Sequence, residues 1–298
     1  MKRTIIDDDF IGRLETLGLW LKNQMTGYFG GNHKTNAYGS TVEFADYREY
    51  TPGDDLRRID WNMYGRFDKY FIRLFTDERQ MHNQILIDGS ASMDDGGGKA
   101  DYALKVAAAL GYLSVQGMDR TSIKLIKDSA LVNVGQKITG KESFYSAVSE
   151  LEEVGFAGGA DISAAIKNNP EIGFDDGFTV IISDFFMESD WKQAVDYLLY
   201  KKREVLLIQV VTPEEMDPDY FGRMQLVDAE AIELEDAKNI RMRITKNEYK
   251  AYLQALSEYL DDMKQFCRSR NVGYVTVNTA NPVEKELLNQ LYETEAIR

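Results

Sequence analysis

An apolar run, Ile85-Leu86-Ile87, stops abruptly at Asp88-Gly89-Ser90-Ala91-Ser92-Met93, and a glycine-rich turn and an amphipathic helical pattern follow it. Short continuous apolar runs are the signature of strands buried on both faces of a parallel sheet. Open α/β sheets bind their ligands just beyond the carboxyl ends of such strands. One carboxylate and two hydroxyls delivered there by a five-residue turn suit a small hard cation. Mg²⁺ takes oxygen ligands in a tight octahedron and usually keeps several waters, so few protein ligands suffice. The run therefore predicts a parallel α/β sheet, with a candidate cation site at Asp88, Ser90 and Ser92.

The pattern downstream is consistent with that sheet. Strands are expected at 83–88, 121–127, 130–134, 178–183, 204–211 and 272–277, and helices at 99–116, 142–152, 161–168, 189–201, 246–270 and 283–295. Only the 121–134 pair lacks an intervening helix, and Lys127-Asp128-Ser129 makes a tight turn there. Such alternation implies an α/β fold with a doubly wound, mostly parallel sheet and one antiparallel strand. Right-handed crossovers place helices on both of its faces. Residues 1–80 are expected to form an N-terminal region, with an amphipathic helix over 10–25 and a strand over 69–77. Residues 81–298 form the main domain, interrupted at about 212–245 by a small β-ribbon with strand-like runs at 225–228, 231–234 and 240–244.

The chain has 298 residues and a net charge of −14, nearly all of it beyond residue 80. So acidic a surface repels phosphate backbones, which argues against a nucleic-acid partner. A single cysteine, Cys267, excludes an internal disulfide and fits a reducing compartment. No stretch approaches the roughly 20 apolar residues of a membrane span, and the N-terminus lacks a signal-peptide core. A soluble, cytoplasmic protein is expected.

Three further segments join the Asp-x-Ser-x-Ser run in a resemblance to a known family. They are Glu43-Phe44-Ala45-Asp46-Tyr47-Arg48-Glu49-Tyr50, then Pro52-Gly53-Asp54-Asp55 through Ile59-Asp60-Trp61, and Ile182-Ser183-Asp184-Phe185. The chain resembles bacterial proteins of the domain of unknown function 58 family, and residues 83–298 resemble a von Willebrand factor A-like domain. The resemblance implies a non-enzymatic protein–protein interaction module that serves as an adaptor to a MoxR-type AAA+ ATPase. It also implies a metal-ion-dependent adhesion site for Mg²⁺, Mn²⁺ or Ca²⁺. There the first loop supplies Asp88, Ser90 and Ser92, a second loop a Thr, and a third loop Asp184. An acidic side chain of the partner would complete the coordination.

The second loop, Gly158-Gly159-Ala160-Asp161, departs from this pattern, because Ala160 stands where the Thr is expected and carries no side-chain oxygen. Asp161, Asp94 or Asp95 could compensate, although Asp161 reads equally as the N-cap of the helix that follows. Asp88, Ser90 and Ser92 have a plainer reading too, as a polar turn that caps the next helix. A metal-free adaptor with a decayed site is thus the alternative. The aromatic and arginine-rich stretch around Tyr47, Tyr50, Trp61, Arg48, Arg57 and Arg58 reads as an ion-paired scaffold, with Asp54, Asp55 and Asp60 close by. The stripe Tyr249, Tyr252-Leu253, Leu256, Leu260 and Met263 reads as core.

An enzyme is the weaker rival. A phosphohydrolase with a nucleophilic Asp88 would need an acid two residues on, where Ser90 stands, and Ser90 cannot serve as a general acid near neutral pH. Only His33 and His82 exist, and six strand residues at ~3.3 Å each put His82 roughly 20 Å from Asp88.

Overall fold

A computed structural model describes residues 4–5, 9–16, 34–35, 42–78, 81–94, 96, 98–173, 177–186, 190–218, 222–226 and 240–287. Its centre is a six-stranded sheet of β4 (His82–Asp88), β5 (Arg120–Lys127), β6 (Ala130–Ile138), β7 (Phe178–Ser183), β8 (Glu204–Val211) and β11 (Gly273–Asn278), in the order β11-β8-β7-β4-β5-β6. Every neighbouring pair is parallel except β5 with β6. This is the expected doubly wound sheet, with β6 running four residues beyond the expected strand.

Successive strand residues point to opposite faces, and two apolar clusters divide accordingly. Ile85, Ile87, Val180, Ile182 and Leu206 face one layer with α3 (Lys99–Gln116) and α4 (Lys141–Leu151). Leu86, Ile181, Val205 and Leu207 face the other, with α5 (Ile162–Lys167), α6 (Trp191–Tyr200) and the C-terminal half of α8 (Lys246–Ser269). Both central strands, β4 and β7, are almost wholly buried. Each such aliphatic side chain contributes about 1.5–3 kcal/mol by leaving water.

The N-terminal region is tied into this core. Helix α1 (residues 9–16) places Phe10 and Leu14 in the first apolar layer, alongside Ile5. The rest of the expected 10–25 helix lies outside the described residues. A three-stranded antiparallel sheet, β1 (Lys34–Thr35), β3 (Phe71–Glu78) and β2 (Val42–Glu49), adjoins the short helix α2 (Trp61–Phe67). Strand β2 was not expected. Its register shifts between Phe44 and Asp46, and such a bulge breaks the two-residue alternation by which a strand is read.

The polar scaffold expected near Trp61 is present in part. Arg48 donates to Asp54 at 2.8 Å, and Asp54 also accepts from the Thr51 backbone and hydroxyl at 2.9 Å. The Thr51 N–H chiefly, then Arg48, hold the Asp54 carboxyl below its usual range. Buried Asp60 caps α2 and accepts from the Tyr47 hydroxyl. Trp61 itself is exposed and meets Tyr64 and Tyr70 edge-on.

The insertion is a ribbon of β9 (Gly222–Leu226) and β10 (Ile240–Ile244), preceded by the short helix α7 (Pro213–Met216). The strand-like run at 231–234 lies outside the described residues. A last helix, α9, covers residues 283–287. Among the described residues no helix is long and apolar enough to cross a membrane. Buried Cys267 has its thiol pushed up to about 12 by desolvation, so it is unreactive.

Lys124 is buried on the α5 face of β5, and its ammonium reaches Glu171 at the surface. The Lys124 hydrogen bond holds the Glu171 carboxyl below its ordinary value of 4.5. The pair therefore stabilises the fold above that pH and loses its contribution as Glu171 protonates in more acid solution. Glu171→Gln should cost about 1 kcal/mol at neutral pH, discounted for the exposure of Glu171. Urea titrations at neutral pH and near pH 3 would check this, with the variant and the parent converging in acid.

Candidate functional site

In the sheet the chain order reverses direction between β4 and β7: β5 and β6 lie to one side of β4, β8 and β11 beyond β7. The carboxyl ends of these two strands form the crevice in which doubly wound sheets hold ligands. Asp88 ends β4, and Asp184 follows the last residue of β7.

Asp88 is fully buried. Its Oδ1 accepts the Ser90 N–H at 2.9 Å, and its Oδ2 accepts the Ser183 hydroxyl at 2.6 Å. The Ser90 and Ser92 hydroxyls are 3.0 Å apart. Gly89 permits the turn because β5 passes so close, and a Cβ there would lie 2.7 Å from the Ile126 carbonyl oxygen. Asp88 forms no ion pair among the described residues. Burial raises its pKa, opposed by hydrogen bonds from Ser183 and Ser90 and reinforced by the negative charge of Asp184. The plainer reading of the turn fails in one respect: α3 begins after Gly98 and receives no side-chain cap, so the trio does not cap it.

The second loop does reach the first. The Ala91 N–H donates to the Gly158 carbonyl at 2.9 Å, the Ala157 N–H donates to that of Gly89 at 3.0 Å, and Ala160 bridges to Asp128. Asp161, in contrast, is exposed and accepts the Ala164 N–H at 2.9 Å as the N-cap of α5. Of its two readings the structure shows the cap. Asp94 is exposed, and Asp95 lies outside the described residues.

Asp184 is buried beside Asp88, but its oxygens are engaged elsewhere. Oδ1 accepts the Phe186 N–H at 3.1 Å, and Oδ2 accepts Lys99 Nζ at 2.9 Å. Lys99, the first residue of α3, is itself buried and also bonds Glu215 Oε1 at 2.6 Å. The other Glu215 oxygen accepts the Thr212 N–H in the capping box of α7. Ser183, Lys99 and Glu215 escaped the sequence reading. For Lys99 one signal was available: a lysine at a helix N-terminus opposes the helix dipole and implies a specific partner.

Three of the five expected ligands thus fit a small hard cation. Asp88 is a buried carboxylate facing only N–H and O–H donors, and Ser90 and Ser92 set two paired hydroxyls beside it. Asp184 is held by Lys99 and Asp161 is used as a cap, so neither fits as placed. Among the described residues no group of three or more His, Cys, Asp or Glu side chains is arranged to hold a metal.

Beside Asp184 runs a groove of about 350 Å³, lined by Phe186, Glu215, Tyr252, Ala255, Leu256 and Tyr259. The Tyr252 and Tyr259 hydroxyls donate to the backbone carbonyls of Glu215 and Phe185. The α8 stripe expected to be core is therefore divided: Leu256 and Met263 are buried, while Tyr252 is exposed at the groove, as is Phe186 from the loop after β7. His82 begins β4, at the opposite end of the sheet, where it meets the Ser122 hydroxyl at 2.6 Å.

The family model for protein of unknown function DUF58 matches residues 46–255. The chain belongs to this family. Its relatives include the uncharacterized protein Rv1480 of Mycobacterium tuberculosis strain ATCC 25618 / H37Rv. That protein is 29% identical over 238 residues, which span 78% of this chain and 74% of the relative. Similar solved structures include the conserved hypothetical protein BatB from Bacteroides thetaiotaomicron, with a TM-score of 0.42 and 15% identity over 72% of this chain and 99% of that one. The SpRpn10 VWA domain gives a TM-score of 0.40 and 11% identity over 71% and 95% of the two chains.

Two variants test the local architecture. Asp161→Ala should cost about 1 kcal/mol as a lost helix cap, visible as a lower urea midpoint; an unchanged midpoint would remove the cap role. Gly89→Ala should lower stability by about 1–3 kcal/mol through overpacking against β5, visible as a lower thermal midpoint.

Proposed function

We propose that this protein is a non-enzymatic interaction module whose docking surface is the rim formed by the carboxyl ends of β4 and β7. One observation carries the reading: a buried carboxylate, Asp88, sits at the sheet's switch point beside paired hydroxyls, and an open apolar groove lies at the same rim beside Asp184. Catalysis finds no support there, because Ser90 occupies the position an acid would need and His82 lies at the far edge of the sheet.

Asp88, Ser90 and Ser92 are the residues that would hold Mg²⁺, Mn²⁺ or Ca²⁺. Such a cation would supply a Lewis-acidic position for an acidic side chain of the partner. Ala160 contributes no oxygen, so this chain offers fewer ligands than the family pattern. The adjoining groove would take an apolar side chain next to that acidic residue, with Phe186 and Tyr252 as the contact surface. The acidic character of the chain favours basic groups around the partner's docking element. Family resemblance makes a MoxR-type AAA+ ATPase the partner to test first.

The metal-free adaptor is favoured by a separate observation, the engagement of Asp184 by Lys99. Binding of a purified MoxR-type ATPase, measured with Mg²⁺ and with chelator, separates the two. The cation reading expects chelator and Asp88→Asn to weaken binding to the same extent, whereas the metal-free reading expects no effect of chelator. Phe186→Ala and Tyr252→Ala should each weaken binding about tenfold under either reading. Unchanged affinity in both groove variants would remove the docking surface proposed here.

A further inference from the structure

Lys99 is an expensive residue in its position. It is buried, and it is the first residue of α3, where the helix dipole already presents positive charge. Two carboxylates from distant segments converge on it: Asp184 Oδ2 at 2.9 Å, from the third loop, and Glu215 Oε1 at 2.6 Å, from α7. Both acids lie within ion-pair distance of the one buried ammonium, which gives it the partners that a charge taken out of water requires. This linkage closes off the one carboxylate that β7 brings to the crevice.

We infer that Lys99 is a built-in cation that withholds Asp184 from any divalent ion, so that cation capture at this rim depends on negative charge brought by the docking partner. The inference rests on the cation reading above. With Asp184 tied to Lys99, Asp88 is the crevice carboxylate that has no cationic partner among the described residues. One carboxylate and two hydroxyls make a weak site for a hard dication, and a partner's carboxylate supplies the missing charge. Occupancy of the site and partner binding are then reciprocally linked, since each raises the affinity for the other. Glu215 gives the linkage a second consequence. It lines the groove and holds Lys99, so the groove wall and the cation site share one ion pair.

The test is titration of Mn²⁺ into the full chain, followed by calorimetry and by the electron paramagnetic resonance signal of free Mn²⁺. Lys99→Met should bind Mn²⁺ at least about tenfold more tightly than the parent, because Asp184 is released. Asp184→Asn added to Lys99→Met should abolish that gain. Glu215→Gln loosens Lys99 without emptying its position, and it should give a smaller gain in the same direction if Lys99→Met fails to fold. Equal, measurable affinities in the parent and both single variants would overturn the role of Lys99 and leave the cation reading standing. No binding in the parent or in any folded variant would overturn the cation reading, and the inference with it.

Discussion

The hydrogen bond from the Ser183 hydroxyl to buried Asp88 joins the ends of the two central strands, and the rim of the sheet is organised around it. A carboxylate taken wholly out of water must find donors or neutralise. Asp88 finds its donors in its own turn, from the Ser90 N–H, and in the neighbouring strand, from Ser183. The turn that makes this possible requires Gly89, since β5 leaves no room for a side chain. The second loop is then laced onto the first through Ala91, Gly158, Ala157 and Gly89. Three separated loops are thereby fixed at one edge of a rigid sheet.

That edge separates two electrostatic compartments only one strand apart. In one, Asp88 is held by neutral donors and lies next to two hydroxyls. In the other, Asp184 is matched by Lys99, which Glu215 shares. Two adjacent aspartates of the same type thus have different chemistry. The difference arises from which side chain the neighbouring helix delivers: α3 begins with Lys99, aimed at the end of β7. The groove formed by Phe186 and the N-terminal half of α8 abuts the second compartment, so an apolar contact surface and a charged cluster share Glu215.

The strands were legible because their burial is nearly complete. Ile85-Leu86-Ile87 and Val180-Ile181-Ile182 are apolar on both faces, and only a central parallel strand demands that. The helices of the main domain were legible from their periodicity, to within a residue or two at most described ends. Strand β2 was hidden by the bulge at Phe44 and Asp46, and α2 by its short length. Among the site residues, Asp88, Ser90 and Ser92 meet in one turn because they are local in sequence. Asp184 lies at the expected edge with its carboxylate engaged, and Asp161 serves its own helix.

By itself the sequence determined the strand and helix alternation, the edge of the sheet at which polar side chains collect, and the turn that carries Asp88, Ser90 and Ser92. Those features depend on short-range patterning, which two-residue and 3.6-residue periodicities record directly. Tertiary structure alone decided the pairing of charges. Lys99 meets Asp184 across 85 positions and Glu215 across 116. No local rule links residues so far apart; only the right-handed crossover that lays α3 over the sheet brings that ammonium to the end of β7.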